Sequence, residues 1–197
     1  MGKVHERIDG RLREFILAQP VFFVGTAPAS PEGHLNISPK GLLGSFAVLD
    51  ELRVAYLDYG GSGAETVAHL RDDGRIVLMF CAFAGPPNIV RLHGLGTVHF
   101  PDDPGFAGLL PAFGEPATIP RTIIEVAVSR VSDSCGYSVP LMSYEDDRDL
   151  LPRYWERKTP AEVLAYRVQK NATSIDGLPA IPIPEPTTAG QSPGQGG

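Results

Sequence analysis

Apolar side chains at Val4, Ile8, Leu12, Phe15 and Ile16 fall at i, i+4, i+8, i+11 and i+12, one stripe of an amphipathic helix that Pro20 ends. Beyond Pro20 the pattern becomes that of strands. Residues 21–26 are β-rich, the Pro- and Gly-containing stretch 28–33 reads as a hairpin connection, and 35–38 reads as the returning strand, stopped by Pro39, Lys40 and Gly41. Short strands follow at 45–49 and 53–58, with Asp50 and Glu51 as the turn between them. A run of Gly60, Gly61, Ser62 and Gly63 then leads into helical composition over 64–71. Two long β-segments, 75–83 and 88–100, are joined by Ala84, Gly85, Pro86 and Pro87. After a short helical patch broken by Pro and Gly, residues 122–131 alternate Ile124, Val126 and Val128 against Glu125, Ala127 and Ser129. Residues 148–157 and 160–168 read as C-terminal helices.

Several connections are too short for the crossovers of a parallel sheet, which need a dozen or more residues. The reading is therefore one mainly β domain over 1–177, an antiparallel barrel with flanking helices. Residues 178–197 are rich in Pro, Gly, Ser, Thr and Gln and are expected to form a disordered tail, with too little apolar surface to offset ordering entropy.

Composition adds exclusions. Hydrophobic residues make up 43% of the 197, charged residues 20%, and the net charge is −6, so the chain is globular and lacks the basic runs of a nucleic-acid or anionic-membrane binder. The cysteines, Cys81 and Cys135, show no disulfide or zinc spacing. No secretory apolar core and no run of about 18 apolar residues is present. A cytoplasmic protein without membrane or nucleic-acid partners is expected.

Four groups of residues carry possible chemistry. The strand, glycine loop and helix over 53–71 would present backbone N–H groups at a helix N-terminus, a favourable place for an anion. Ser62 and Thr66 add hydroxyls. The same residues also fit a plain glycine connection in which Ser62 caps the helix. The segment is neither a Walker A loop nor Gly-x-Gly-x-x-Gly, because Thr66 stands at the third glycine position. Asn36, Ser38 and Lys40 share one face of an extended strand, with Lys40 either a phosphate partner or a solvated strand end. Arg91, His93, Leu95, Thr97 and His99 share a face of a later strand, as the lining of an anion site or as an exposed sheet face. Cys135, followed by Gly136, reads as a nucleophile or, better, as a buried or half-buried structural thiol. Glu145, Asp146, Asp147 and Asp149 fit a cation site less well than the charged start of a helix.

Taken in order, residues 21–26, 36–41, 54–58, 62–70, 75–80 and 91–96 resemble the pyridoxamine 5′-phosphate oxidase-like, FMN-binding split-barrel family, over roughly residues 15 to 131. The stretch 134–155 resembles a feature of a bacterial subgroup of that family. The resemblance implies a six-stranded antiparallel split barrel and a homodimer with two FMN molecules at the subunit interface. It places Lys40 and Ser62 on the phosphate and Arg91 on the strand bordering the flavin. Asn36, Ile37 and Ser38 would run beside the isoalloxazine, and Trp155 would contact the partner chain. Gly63 and Ala64 stand where founding members carry two basic residues, so backbone N–H groups, including that of Gly63, would share the phosphate with Lys40, Arg91 and Thr66. The basic and aromatic set for a pyridoxal-type phosphate substrate is missing. The implied activity is an FMN-dependent oxidoreductase acting on a small molecule. A deazaflavin-dependent reductase on the same barrel (related split barrels also bind haem) or a non-enzymatic flavin-binding protein are the alternatives.

Overall fold

In the computed structural model, which describes residues 2–183, side-chain burial alternates with a period of two along 22–26, 36–40 and 75–80, whereas 54–58 are buried on both faces. β1 (Lys3–His5) and α1 (Gly10–Leu17) precede the run β2 (Phe22–Thr26), β3 (Asn36–Lys40), β4 (Phe46–Val48) and β5 (Arg53–Asp58). α2 (Glu65–Asp72), β6 (Arg75–Cys81), β7 (Ile89–His99), α3 (Pro104–Leu109), β8 (Thr122–Ser134), α4 (Leu150–Glu156) and α5 (Pro160–Lys170) complete the chain.

All strand pairings are antiparallel, in the order β3-β2-β6-β7-β8-β5-β4, with β1 on the far part of β8. The sheet curls on itself. Phe22 and Val24 of β2 share one core with Leu78 and Phe80 of β6, Leu92 of β7, Ile124 and Val126 of β8, and Val54 and Tyr56 of β5. Phe22 lies 5.0 Å from Phe46 and 5.5 Å from both Tyr56 and Phe80 between ring centroids, so the two halves of the curl close on aromatic contacts. α1 plugs this core with Leu12 and Ile16, and its first turn is capped by Asp9, which accepts the Leu12 N–H at 2.8 Å.

The sheet has eight strands where six were expected. One of the additions is β1. Val4 was counted in the helical stripe, but Asp9 starts α1 only at Gly10, and residues 3–5 pair with β8 instead. The C-terminal expectation also changes. Ala180 and Ile181 are buried against Ala64, Val67 and Ala68 of the α2 region, and Leu178 packs on them. Ala180 and Ile181 donate to the carbonyls of Ala172 and Asn171, so residues 178–183 fold onto the domain because their apolar side chains find the outer face of α2. The rest of that expected tail lies outside the described residues. Among the described residues no helix is long and apolar enough to cross a membrane.

Candidate anion site at the glycine loop

The strand pairing brings together three charges that lie far apart in the sequence. Asp58 ends β5 directly opposite Thr122 of β8, so Arg121 arrives beside it, and the end of β3 delivers Lys40 from the other side. Lys40 Nζ donates to Asp58 Oδ1 at 2.9 Å. Arg121 donates from Nε and Nη2 to Oδ2 at 3.0 and 2.7 Å, and the Thr122 hydroxyl adds a donor at 3.2 Å. The Asp58 side chain is fully buried. Burial by itself would push its carboxyl up, but the charges and hydrogen bonds of Lys40 and Arg121 outweigh this and hold it well below the usual carboxylate range. Two cations on one carboxylate leave one positive charge in excess, facing the glycine loop.

That loop is pinned by its carbonyls. Trp155 Nε1 donates to the Gly60 carbonyl at 3.1 Å, Asn171 Nδ2 to that of Gly61 at 2.9 Å, and Arg121 Nη1 to that of Gly63 at 3.0 Å. Among the described residues the N–H groups of 61–63 donate to no protein acceptor. α2 begins after Ala64 with no side-chain cap, so Ser62, which is exposed, does not cap it. The orphan N–H groups of its first turn remain available.

A cavity of about 370 Å³ opens on these groups, lined among others by Asn36, Ser38, Lys40, Ser62, Gly63 and Thr66. Tyr59, Glu65 and Arg121 line it as well. Thr66 and Asn36 are tied together, since Asn36 Nδ2 donates to Thr66 Oγ1 at 3.1 Å and Ser38 Oγ donates to Asn36 Oδ1 at 3.2 Å. Thr26, which lies 3.4 Å from Asn36 Nδ2, also meets the His69 Nδ1 at 3.0 Å, while the buried His69 Nε2 has no partner among the described residues. Glu65 turns its Oε2 to the Ile175 N–H at 3.1 Å.

Two residues named from the sequence lie elsewhere. Ile37 points to the opposite face of β3, 74% exposed, because alternation sends it away from Asn36 and Ser38. Arg91 is drawn to the far end of the β7–β8 pairing, where it donates to Ser134 Oγ at 3.0 Å. Its neighbours on that face disperse too: His93 lines an outer cavity and His99 meets Glu125 at 3.0 Å. Trp155 closes on its own chain, so tightly that a Cβ on Gly60 would overlap its ring. Cys135 is exposed and Cys81 buried. Among the described residues the acidic groups form no metal cluster, and Asp147 accepts the Leu43 N–H instead.

Sequence reasoning missed Asp58 and Arg121. Asp58 did leave a signal, as a carboxylate ending an otherwise apolar strand just ahead of the glycines. Arg121, between Pro120 and Thr122, left none, because only the β5–β8 register makes it part of the site.

Residues 8–135 match the family model for pyridoxamine 5′-phosphate oxidase. A pyridoxamine 5′-phosphate oxidase family protein of Aspergillus flavus, ustO, is 38% identical over 192 residues, covering 90% of this chain and 77% of its own, so the likeness continues past the barrel. Among solved structures, HupZ of Group A Streptococcus superimposes with a TM-score of 0.50 at 19% identity, over 69% of this chain and 99% of its own. A point variant of the same streptococcal protein gives the same TM-score at 20% identity, over 64% and 99%. These likenesses share the fold, and the sequence matches go further: the chain belongs to the pyridoxamine 5′-phosphate oxidase family.

Proposed function

We propose that the chain is an FMN-dependent oxidoreductase that holds the cofactor by its phosphate at the glycine loop. The observation that carries this reading is the pair Gly61 and Gly63. Neither has a positive φ, and no protein atom beyond the adjoining residues stands closer than 3.9 Å to where their Cβ atoms would lie. Neither backbone conformation nor packing within this chain therefore calls for glycine there. Close approach by a ligand does. The donors facing that space suit a phosphate: the N–H groups of 61–63, the hydroxyls of Ser62 and Thr66, and the charges of Lys40 and Arg121.

When bound, FMN supplies the hydride and electron transfer. The chain's residues bind and orient it. Asp58 holds the two cations at fixed positions, so little reorganisation is needed when the anion arrives. Asn36 and Ser38, locked to each other and to Thr66, form the polar wall beyond the phosphate.

The homodimer belongs to the same reading. Leu35, Ile37 and Leu95 are 79%, 74% and 59% exposed, and all three line an outer cavity of about 620 Å³ on the sheet. Such a patch suits a second copy of the chain, and Ile37→Glu is expected to convert a dimer to monomer in sedimentation.

The test is the visible spectrum of the purified protein together with the mass of what denaturation releases. Flavin bands and released FMN are expected. Gly63→Val should lose at least tenfold in FMN affinity while keeping its unfolding midpoint, and Lys40→Ala should lose occupancy in parallel with redox turnover. A colourless protein that does not take up added FMN would overturn the reading, and uptake of a deazaflavin in its place would transfer the site to that cofactor.

A further inference from the structure

Arg121 lines two cavities. One is the phosphate cavity already described. The other, of about 420 Å³, is lined by Ile119, Trp155, Lys158, Val163 and Arg167 among others. Trp155, Lys158 and Arg167 lie outside the segment 8–135 that matches the family model, so the barrel common to the family does not supply this wall.

The charges in this second cavity are unbalanced. Arg121 shares the single charge of Asp58 with Lys40. Among the described residues Arg167 and Lys158 form no ion pair, and Lys158 instead rests its ammonium 4.7 Å from the Tyr154 ring centroid. Glu156 is the one carboxylate on the lining, and it is exposed. Positive charge is thus left over, in a half-buried place where Arg167 is also pressed by Arg121. Burial and that neighbouring charge both lower the Arg167 pKa. Keeping two guanidiniums together without an acid between them costs stability that a bound anion would return. The remaining wall is apolar, built from Ile119, Pro160, Val163 and the Trp155 ring.

We propose that this cavity binds a small organic monoanion, a carboxylate carrying a compact apolar body. The site stands apart from the flavin, and its binding does not rest on the FMN reading. The carboxylate would lie across the Arg167 guanidinium, a fork that matches its two oxygens, and the body would lie along Ile119, Val163 and Trp155. Arg121 forms the partition, so the anion would lie one side chain away from the cofactor phosphate.

The chain contains one tryptophan, and it is Trp155 on the wall of this cavity, so intrinsic fluorescence reports on it directly. The experiment titrates the full-length protein, with and without bound FMN, with phenylacetate and with its neutral counterpart phenylacetamide. Phenylacetate is expected to shift Trp155 emission saturably, and phenylacetamide to bind at least tenfold more weakly. Arg167→Ala should lose tenfold or more in phenylacetate affinity with FMN uptake unchanged, Arg167→Lys should recover part of it, and Lys158→Ala should lose severalfold. No saturable response to phenylacetate in a protein that takes up FMN would overturn the proposal and leave the FMN reading standing. Equal binding of acid and amide, or undiminished binding in Arg167→Ala, would also overturn it. A saturable, Arg167-dependent response in a protein that takes up no FMN would keep the anion site and remove the flavin reading.

Discussion

The barrel strands bury Val54, Tyr56, Leu78, Leu92 and Ile124 at 0% exposure, whereas neither α4 nor α5 buries a single residue to that degree. The helices are held by different means. Tyr154, Trp155 and Tyr166 pack edge to face with centroids 5.1 to 6.0 Å apart, Trp155 bonds to Gly60, and Thr159 and Glu162 form a reciprocal capping box at the start of α5. Stability in this molecule thus sits in the sheet, while the helices are a separate, weaker layer that closes over the glycine loop. Regions with few buried apolar contacts open first. An assembly that must admit a ligand gains from placing its cover in such a layer.

The comparison can be broken most severely from the barrel side. Asp58→Asn leaves Lys40 and Arg121 without their shared carboxylate, and a loss of about 3–5 kcal/mol in denaturant unfolding is expected. The linked pH effect has a definite sign. Because the folded pKa of Asp58 is depressed, its contribution is complete above the ordinary carboxylate value of about 4 and is lost as pH falls below that. The acid limb of the stability curve should therefore flatten in Asp58→Asn. Trp155→Ala should sharpen the contrast between layers. Global stability should fall by only about 1 kcal/mol, a hydrogen bond's worth, while amide exchange in α4 and α5 speeds at least tenfold and that of β6 and β7 stays unchanged. Thr159→Ala is the mildest test, removing about 1 kcal/mol from α5 alone, read as faster exchange in that helix with no shift of the unfolding midpoint.

Most of the elements were legible in the chain because each carries its own local pattern. β5 (Arg53–Asp58) is read with its bounds intact because charged residues close both ends of its apolar run, and the other long strands to within a few residues, since alternation over a buried face leaves little freedom of register. The juxtaposition of Asn36, Ser38, Lys40, Ser62, Gly63 and Thr66 was likewise legible, because alternation along β3 and the glycine break before α2 are local features. What pairing decides was not. Arg121 became visible only through the β5–β8 register, and nothing in the strand of Arg91 says that it lies at the end of the sheet away from the loop. The fate of residues 178–183 depended on the outer face of α2, whose apolar side chains lie more than a hundred positions earlier.

That last contact bears on the order in which the molecule is made. Asn171 reaches Gly61, and Ile175 reaches Glu65, across 110 positions each; Asp176 reaches His34 across 142, and Arg71 donates to the Ala180 carbonyl. Every barrel strand has been synthesised by residue 134, long before the segment that fastens the glycine loop exists. Contacts of such separation form late, after the loop-closure entropy of everything between has been met. A nascent chain therefore carries a nearly finished barrel with an unfastened loop, and the pocket acquires its shape only once residues 171–180 have left the ribosome.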